Sequence, residues 1–370
     1  MAIQGCATPE GTRRYRDRMV SAGVAHPEHF RDGVGGLALS SVGLGTYLGG
    51  FDGKTDALYL EAVKQALGTG CNVFDSAINY RAQRSERVIG QALAAMVRDQ
   101  SIQRDEVVVA TKAGFLPFDG EPPADPYAYV QKTFVMPGII KTSGIVGDCH
   151  CLTPGYLRHQ LARSLANLGL ACVDIYYLHN PETQLDHVSR EEFMTRMRAG
   201  FETLEEAVAQ GSIRVYGTAT WPGFRVAPGS RRHMSLEALV GLAQDLAGKD
   251  HHFKVLQAPF NLGMPEAITQ QTQTLNGRAV TLLEAAKALD VYVMANASIL
   301  QGQLTSGLPG DIQQALGDGT DAQLALQFVR STPGLGTALV GMKQAAHVQE
   351  NLGVARRAPA TPDQFASLFR

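Results

Sequence analysis

The chain has 370 residues, 45% of them apolar and 18% charged, with 33 Lys and Arg against 35 Asp and Glu for a formal net charge of −2. This composition buries a large core and excludes a disordered tail or a fibre. No stretch concentrates basic residues, which speaks against nucleic acid as a partner.

Residues 1–35 are polar and carry Arg13, Arg14, Arg16 and Arg18. They read as an extension packed on the outside of the domain that follows. The N-terminus lacks the apolar core of a signal peptide, and no apolar run approaches the ~18 residues of a membrane span. The five cysteines are odd in number and scattered, as expected of reduced thiols. The expectation is a soluble cytoplasmic protein that uses no membrane.

From residue 36 to 370, short apolar or β-branched runs alternate with helical patterns. Strands are expected at Val42–Gly45, Asn72–Phe74, Val107–Ala110, Val173–Leu178, Ile213–Tyr216, Val255–Gln257, Val291–Ala295 and Ala338–Val340. Each is brief and mostly non-alternating, as where both faces are covered. Between them, Leu157, Leu161, Leu165 and Leu168 recur at helical spacing, as do Phe193, Met197, Phe201, Leu204 and Val208. Thr153-Pro154 reads as a cap followed by proline at the first helical position.

Although 370 residues divide into two or three average domains, a (β/α)8 barrel runs ~250 residues as one unit. Eight strand-helix repeats predict that α/β class: a single-domain TIM barrel with an N-terminal extension. An open doubly wound sheet is the alternative, but Gly43-Leu44-Gly45-Thr46-Tyr47-Leu48 lacks its dinucleotide fingerprint. Residues 116–151 are a long proline-rich insertion after the third strand, expected to wall a substrate pocket.

The strand ends are informative. The second strand is followed by Asp75, the third by Thr111-Lys112 and the fourth by His179. Three adjacent strands thus present an acid, a cation and an imidazole at the C-terminal face, where barrel loops surround one pocket. The bland alternative is a buried Asp75–Lys112 ion pair that merely closes the barrel mouth.

Asp75-Ser-Ala-Ile-Asn-Tyr80, followed by Ser85-Glu86 and Gly90, resembles the signature of the aldo-keto reductase superfamily. Thr111-Lys112 and Tyr177-Leu178-His179-Asn180-Pro181 resemble its next two blocks, in order, within residues 36–354. The resemblance implies a catalytic tetrad of Asp75, Tyr80, Lys112 and His179. A carbonyl that accepts hydride develops negative charge on oxygen, and a proton donor must neutralise it. Tyr80 would be that donor, Lys112 would lower its pKa, Asp75 would hold Lys112, and His179 would orient the substrate.

The same resemblance implies NADP(H), with NAD(H) as the alternative, held largely by the last two barrel loops. The implied contacts are Gly45, Thr46, Tyr47, Asp75, Ala219, Thr220, Gln257 and Asn296 for the nicotinamide half. Ser298, Leu300, Gly302, Leu304, Gly341, Met342, Lys343, His347, Glu350 and Asn351 would hold the remainder. Tyr47, His179 and Trp221 would meet a small carbonyl or alcohol substrate. This chain departs from the family at several positions. Ala219-Thr220 stands where Ser-Asn is common, Asn296 where an aromatic stacks, Arg81 where Gly follows the tyrosine, and His347 where Arg is frequent. Those departures leave two alternatives to a carbonyl reductase: epimerisation or elimination with a tightly held cofactor, or a non-catalytic cofactor-sensing subunit. Cys149-His150-Cys151 does not make a closed metal site by its spacing, and no metal is expected.

Overall fold

A computed structural model of the chain describes residues 2–369. Its barrel strands are β1 (Val42–Gly45), β2 (Val73–Asp75), β3 (Val108–Ala113), β4 (Val173–His179), β5 (Ile213–Ala219), β6 (Phe253–Pro259), β7 (Tyr292–Asn296) and β8 (Thr337–Gly341). They pair in parallel in chain order, and β8 closes on β1 to complete a TIM barrel. All eight expected strands are present. Strands β3, β5 and β6 run further toward the C-terminal face than expected, because Thr111-Lys112-Ala113, Gly217-Thr218-Ala219 and Ala258-Pro259 stay in the ladder.

The outer helices are α1 (Gly53–Gly68), α2 (Arg84–Arg98), α3 (Pro154–Leu168), α4 (Arg190–Ala209), α5 (Leu236–Ala247), α6 (Leu282–Ala288), α7 (Asp321–Ser331) and α8 (Ala345–Leu352). Asp52 caps α1 by accepting from the Thr55 N–H at 2.7 Å, and Ser189 caps α4 in the same way. Capping boxes start α6 and α7. Helix α3 begins at Pro154 as expected, yet Thr153 does not cap it: its hydroxyl lies 3.2 Å from the Cys151 thiol.

The N-terminal segment does two jobs. A helix at Pro9–Ser21 lies outside the barrel, where Tyr15 donates to the Leu67 carbonyl and Arg14 and Arg18 pair with Glu106. The part that follows departs from the expected outside packing. A hairpin of Phe30–Asp32 with Ala38–Ser40 brings Leu37 and Leu39, with Ala7, into the inner cluster of Val73, Val108, Ile175, Tyr177, Val255 and Met294. These apolar residues plug the barrel's N-terminal end, which would otherwise admit water to the strand interior.

Residues 116–151 also differ from expectation. They carry a short helix (Pro126–Val130) and a hairpin of Ile145–Val146 with His150–Cys151. Phe134 packs edge-on against Tyr156 and His159 of α3, so the insertion folds onto that helix. Among the described residues, no helix is long and apolar enough to cross a membrane.

Candidate active site

Strands β2, β3 and β4 lie side by side, with Asp75 opposite Ala110 and Lys112 opposite Tyr177. That register gathers the strand-end polar groups. Lys112 Nζ donates to Asp75 Oδ2 at 2.6 Å and to the Ser76 carbonyl at 2.7 Å, and lies 3.4 Å from the Tyr80 hydroxyl. From across the barrel, Gln257 Nε2 donates to Asp75 Oδ1 at 2.9 Å. His179 packs edge-on to Tyr80 with ring centroids 5.7 Å apart, and edge-on to Phe115 at 5.1 Å.

Electrostatics assign the protonation states. Burial alone would lower the Lys112 ammonium, but Asp75 and then Tyr80 outweigh it, so its pKa is raised and it stays charged. His179 is driven well below its ordinary value by burial, then by Lys112 and His150, and is a neutral imidazole. Tyr80 departs from expectation. Lys112 does pull the phenol down, but burial pushes harder and Asp75 adds to it, so the net direction is upward.

Asp75, Tyr80 and His179 open onto a cavity of about 900 Å³. Gly45, Thr46, Tyr47, Ala219, Thr220, Gln257, Asn296, Ser298, Gly302, Gly341, Lys343, His347, Glu350 and Asn351 line it too. Lys112 stands behind the wall, wholly buried. Three sequence-assigned residues are not brought to the cavity. Met342 turns into the core, Leu304 is half-buried beyond the wall, and Leu300 sits in a left-handed turn (φ 47°). Tyr47 and Trp221, 57% and 40% exposed, flank the mouth. From the insertion region only Phe115, just before residue 116, reaches the lining; residues 116–151 do not. Leu48, Asn79, Asn180 and Ile299 line it as well and were not foreseen. Asn79 and Asn180 adjoin Tyr80 and His179, which is the only trace of them in the sequence.

Of the residues that depart from the family pattern, Asn296 and Thr220 are neighbours, whereas Arg81 lies apart from them. Asn296 Nδ2 lies 3.4 Å from both the Thr220 carbonyl and Gln257 Oε1, and its Oδ1 has no partner. Arg81 adopts φ 47°, a conformation that favours glycine, and is held there by Asp56 at 2.6 Å and by the Tyr59 ring. Other signature residues serve the scaffold. Ser85 donates to the Thr46 carbonyl, and buried Glu86 accepts from Thr111 and Asn167. A Cβ on Gly90 would come within 2.4 Å of the Leu168 carbonyl, so glycine lets α2 approach α3.

A sequence model of the Aldo/keto reductase family matches residues 41–227. An NADH-specific methylglyoxal reductase of Escherichia coli (strain K12) is 29% identical over 195 residues, covering 50% of this chain and 50% of the relative. A 6-dehydroglucose reductase of Novosphingobium aromaticivorans is 26% identical, covering 54% of each. The matched region thus spans about half the length of these curated relatives. A probable voltage-gated potassium channel subunit beta of Oryza sativa subsp. japonica is 23% identical across 86% of this chain and 88% of its own. Among solved structures, an aldo/keto reductase from Klebsiella pneumoniae in complex with NADP and acetate is similar in fold, with TM-score 0.61 and 21% identity. It covers 92% of this chain and 94% of that one.

Proposed function

The chain belongs to the aldo/keto reductase family, and from that premise we propose that it is an NAD(P)-dependent oxidoreductase that reduces an aldehyde or ketone to its alcohol, or runs the reverse. The observation that carries this reading is the Asp75–Lys112–Tyr80 contact at the wall of an open cavity, with neutral His179 beside it.

The residues present suit a dinucleotide. Thr46, Thr220, Gln257 and Asn296 offer polar groups to a nicotinamide carboxamide, and the unpartnered Asn296 Oδ1 marks a hydrogen bond not made within the protein. Ser298, Gly302, Gly341 and Lys343 would hold phosphates, and His347, Glu350 and Asn351 the adenosine end. NADP(H) is the proposed cofactor, as in the Klebsiella pneumoniae structure, and NAD(H) the second candidate, as for the Escherichia coli relative. When bound, the nicotinamide supplies or accepts the hydride. Everything else falls to the chain. Tyr80 keeps its proton at neutral pH and donates it to the carbonyl oxygen as charge develops there. Lys112 stabilises the phenolate left behind, and Asp75 with the Ser76 carbonyl aims the ammonium at it. Neutral His179 offers a second hydrogen bond to the same oxygen. The proposed compartment is the cytoplasm.

The test is fluorescence titration with NADPH and NADH, followed by turnover with a panel of small aldehydes. Wild type is expected to bind at least one dinucleotide and consume it. Tyr80→Phe should lose turnover while binding stays near wild type. Unchanged turnover in that variant would remove Tyr80 from the mechanism. Binding without consumption would favour the cofactor-sensing alternative, and unconsumed cofactor with an isomerised substrate would favour epimerisation.

A further inference from the structure

Away from the mouth, two cysteines lie on paired segments at the opposite end of the barrel. Ile3 pairs in parallel with Leu170, with the Ile3 N–H bonded to the Gly169 carbonyl at 2.8 Å and the Ala171 N–H to the Ile3 carbonyl at 2.9 Å. Four residues on, the Ala7 N–H donates to Asp174 Oδ1 at 2.6 Å. These contacts bracket Cys6 on one segment and Cys172 on the other, and hold them side by side. Both are free thiols, and the Cys172 thiol donates to the Val173 carbonyl at 3.5 Å. Both line one groove, in which Cys6 is partly exposed and Cys172 is buried. Arg214 reaches toward the Cys6 sulfur, with Nη1 at 3.9 Å.

We propose that Cys6 and Cys172 form a redox-active dithiol that a hydroperoxide converts to a reversible disulfide between the N-terminal segment and the foot of β4.

The chemistry follows from the asymmetry of the pair. The attacking species must be a thiolate within reach of solvent. Cys6 meets both conditions: its neighbours Cys172, Arg214 and Arg104 favour its anion, against burial and Asp174, and its pKa falls to about 6. Its sulfur attacks the O–O bond of the peroxide, forming a sulfenic acid and releasing water or an alcohol. The Cys172 thiol then displaces the sulfenic oxygen as water, giving the S–S bond. In sum, two thiols and one peroxide yield one disulfide, one water and one water or alcohol. Cys172 is pushed up and stays protonated until that second step, which suits a resolving rather than an attacking thiol. Cys149 is more exposed, but burial and Asp148 raise its pKa, so exposure alone predicts the opposite order of reaction.

The experiment treats reduced full-length protein with a small excess of hydrogen peroxide and maps thiols by mass spectrometry of non-reducing digests. The expected product is a peptide linking Cys6 to Cys172, reversible by dithiothreitol, formed before Cys149 is modified. Crosslinking should raise the melting temperature by several degrees, because it closes a long loop in the unfolded chain. In Cys172→Ser, Cys6 should stop at a sulfenic acid trapped by dimedone; in Cys6→Ser, Cys172 should stay reduced. Reaction at Cys149 first, crosslinks only between molecules, or a wild-type Cys6 that stops at sulfenic acid would each overturn the proposal.

Discussion

Each end of the barrel buries a carboxylate against a cation, and the two pairs differ in what else they touch. At the N-terminal end, Arg104 meets Asp174 Oδ2 at 2.8 Å, while the Val109 and Ala7 N–H groups fill the remaining carboxylate positions. Arg104 also donates to the Val107 and Cys172 carbonyls. That pair is enclosed by backbone. At the C-terminal end, Lys112 meets Asp75 at 2.6 Å, but its third contact is a tyrosine hydroxyl at 3.4 Å on the wall of a cavity. A buried ion pair is therefore not evidence of chemistry. Chemistry is indicated where one partner keeps a loose contact to a group that meets the cavity.

Removing each cation in turn would sharpen this contrast. Lys112→Met should cut turnover per folded molecule by about 10²–10⁴-fold, the range for losing assistance to a general acid. With the ammonium gone, the Tyr80 pKa should rise further, so any alkaline limb of the rate profile should move to higher pH. Turnover close to wild type would move this pair into the same class as the other. Arg104→Met leaves Asp174 charged and buried without its cation, and should cost about 3–5 kcal/mol in chemical denaturation. The folded fraction should retain wild-type turnover. A loss of turnover at constant fold would show that the two ends are coupled.

The sequence revealed one of these pairs and hid the other, for a physical reason. Asp75, Lys112 and His179 were legible because a polar residue ending an apolar strand is conspicuous, and because one face of a parallel barrel gathers all its strand ends. Asp174 lies at the start of β4, where a charged residue looks like an ordinary loop exit, and nothing in the order of residues pairs it with Arg104. The barrel itself was legible from eight repeats. The plug was not, since the hydrophobicity of Leu37 and Leu39 does not say which end of a barrel they enter. Within the candidate site, the family resemblance gave Gln257 and Asn296 but not the contact of Gln257 with Asp75, which lies 182 residues away in the chain. Loop side chains are set by local turns: Met342 follows Gly341 into the core, whereas Lys343 lines the cavity. The upward pull on Tyr80 arises from burial, which residue order does not state.

A third buried carboxylate extends the comparison. Glu182 follows β4, and its Oε1 accepts from the Trp221 N–H at 2.7 Å and the Gly223 N–H at 3.3 Å, which fixes the turn beneath Trp221. Its Oε2 is buried without a partner. With no cation bonded to it, burial raises its pKa to about 7 against these backbone donors. The folded protein then holds a proton that the unfolded chain releases near pH 4.5, so this group's contribution to stability is full below pH 4.5 and declines as pH rises to about 7. Glu182→Gln keeps an acceptor for both N–H groups and does not titrate. Relative to this variant, wild type should lose about 3 kcal/mol of stability between pH 4.5 and 8, at about 1.4 kcal/mol per pH unit across the window. Urea unfolding of both proteins at the two pH values reads the difference. Buried His29 and His150, lowered to about 3 and 4, lose stability in the opposite direction as pH falls. They do so in both proteins and cancel. A gap that stays constant with pH would mean that Glu182 remains ionised, and that backbone N–H donors alone can hold a buried carboxylate charged without the cation that Asp75 and Asp174 each have.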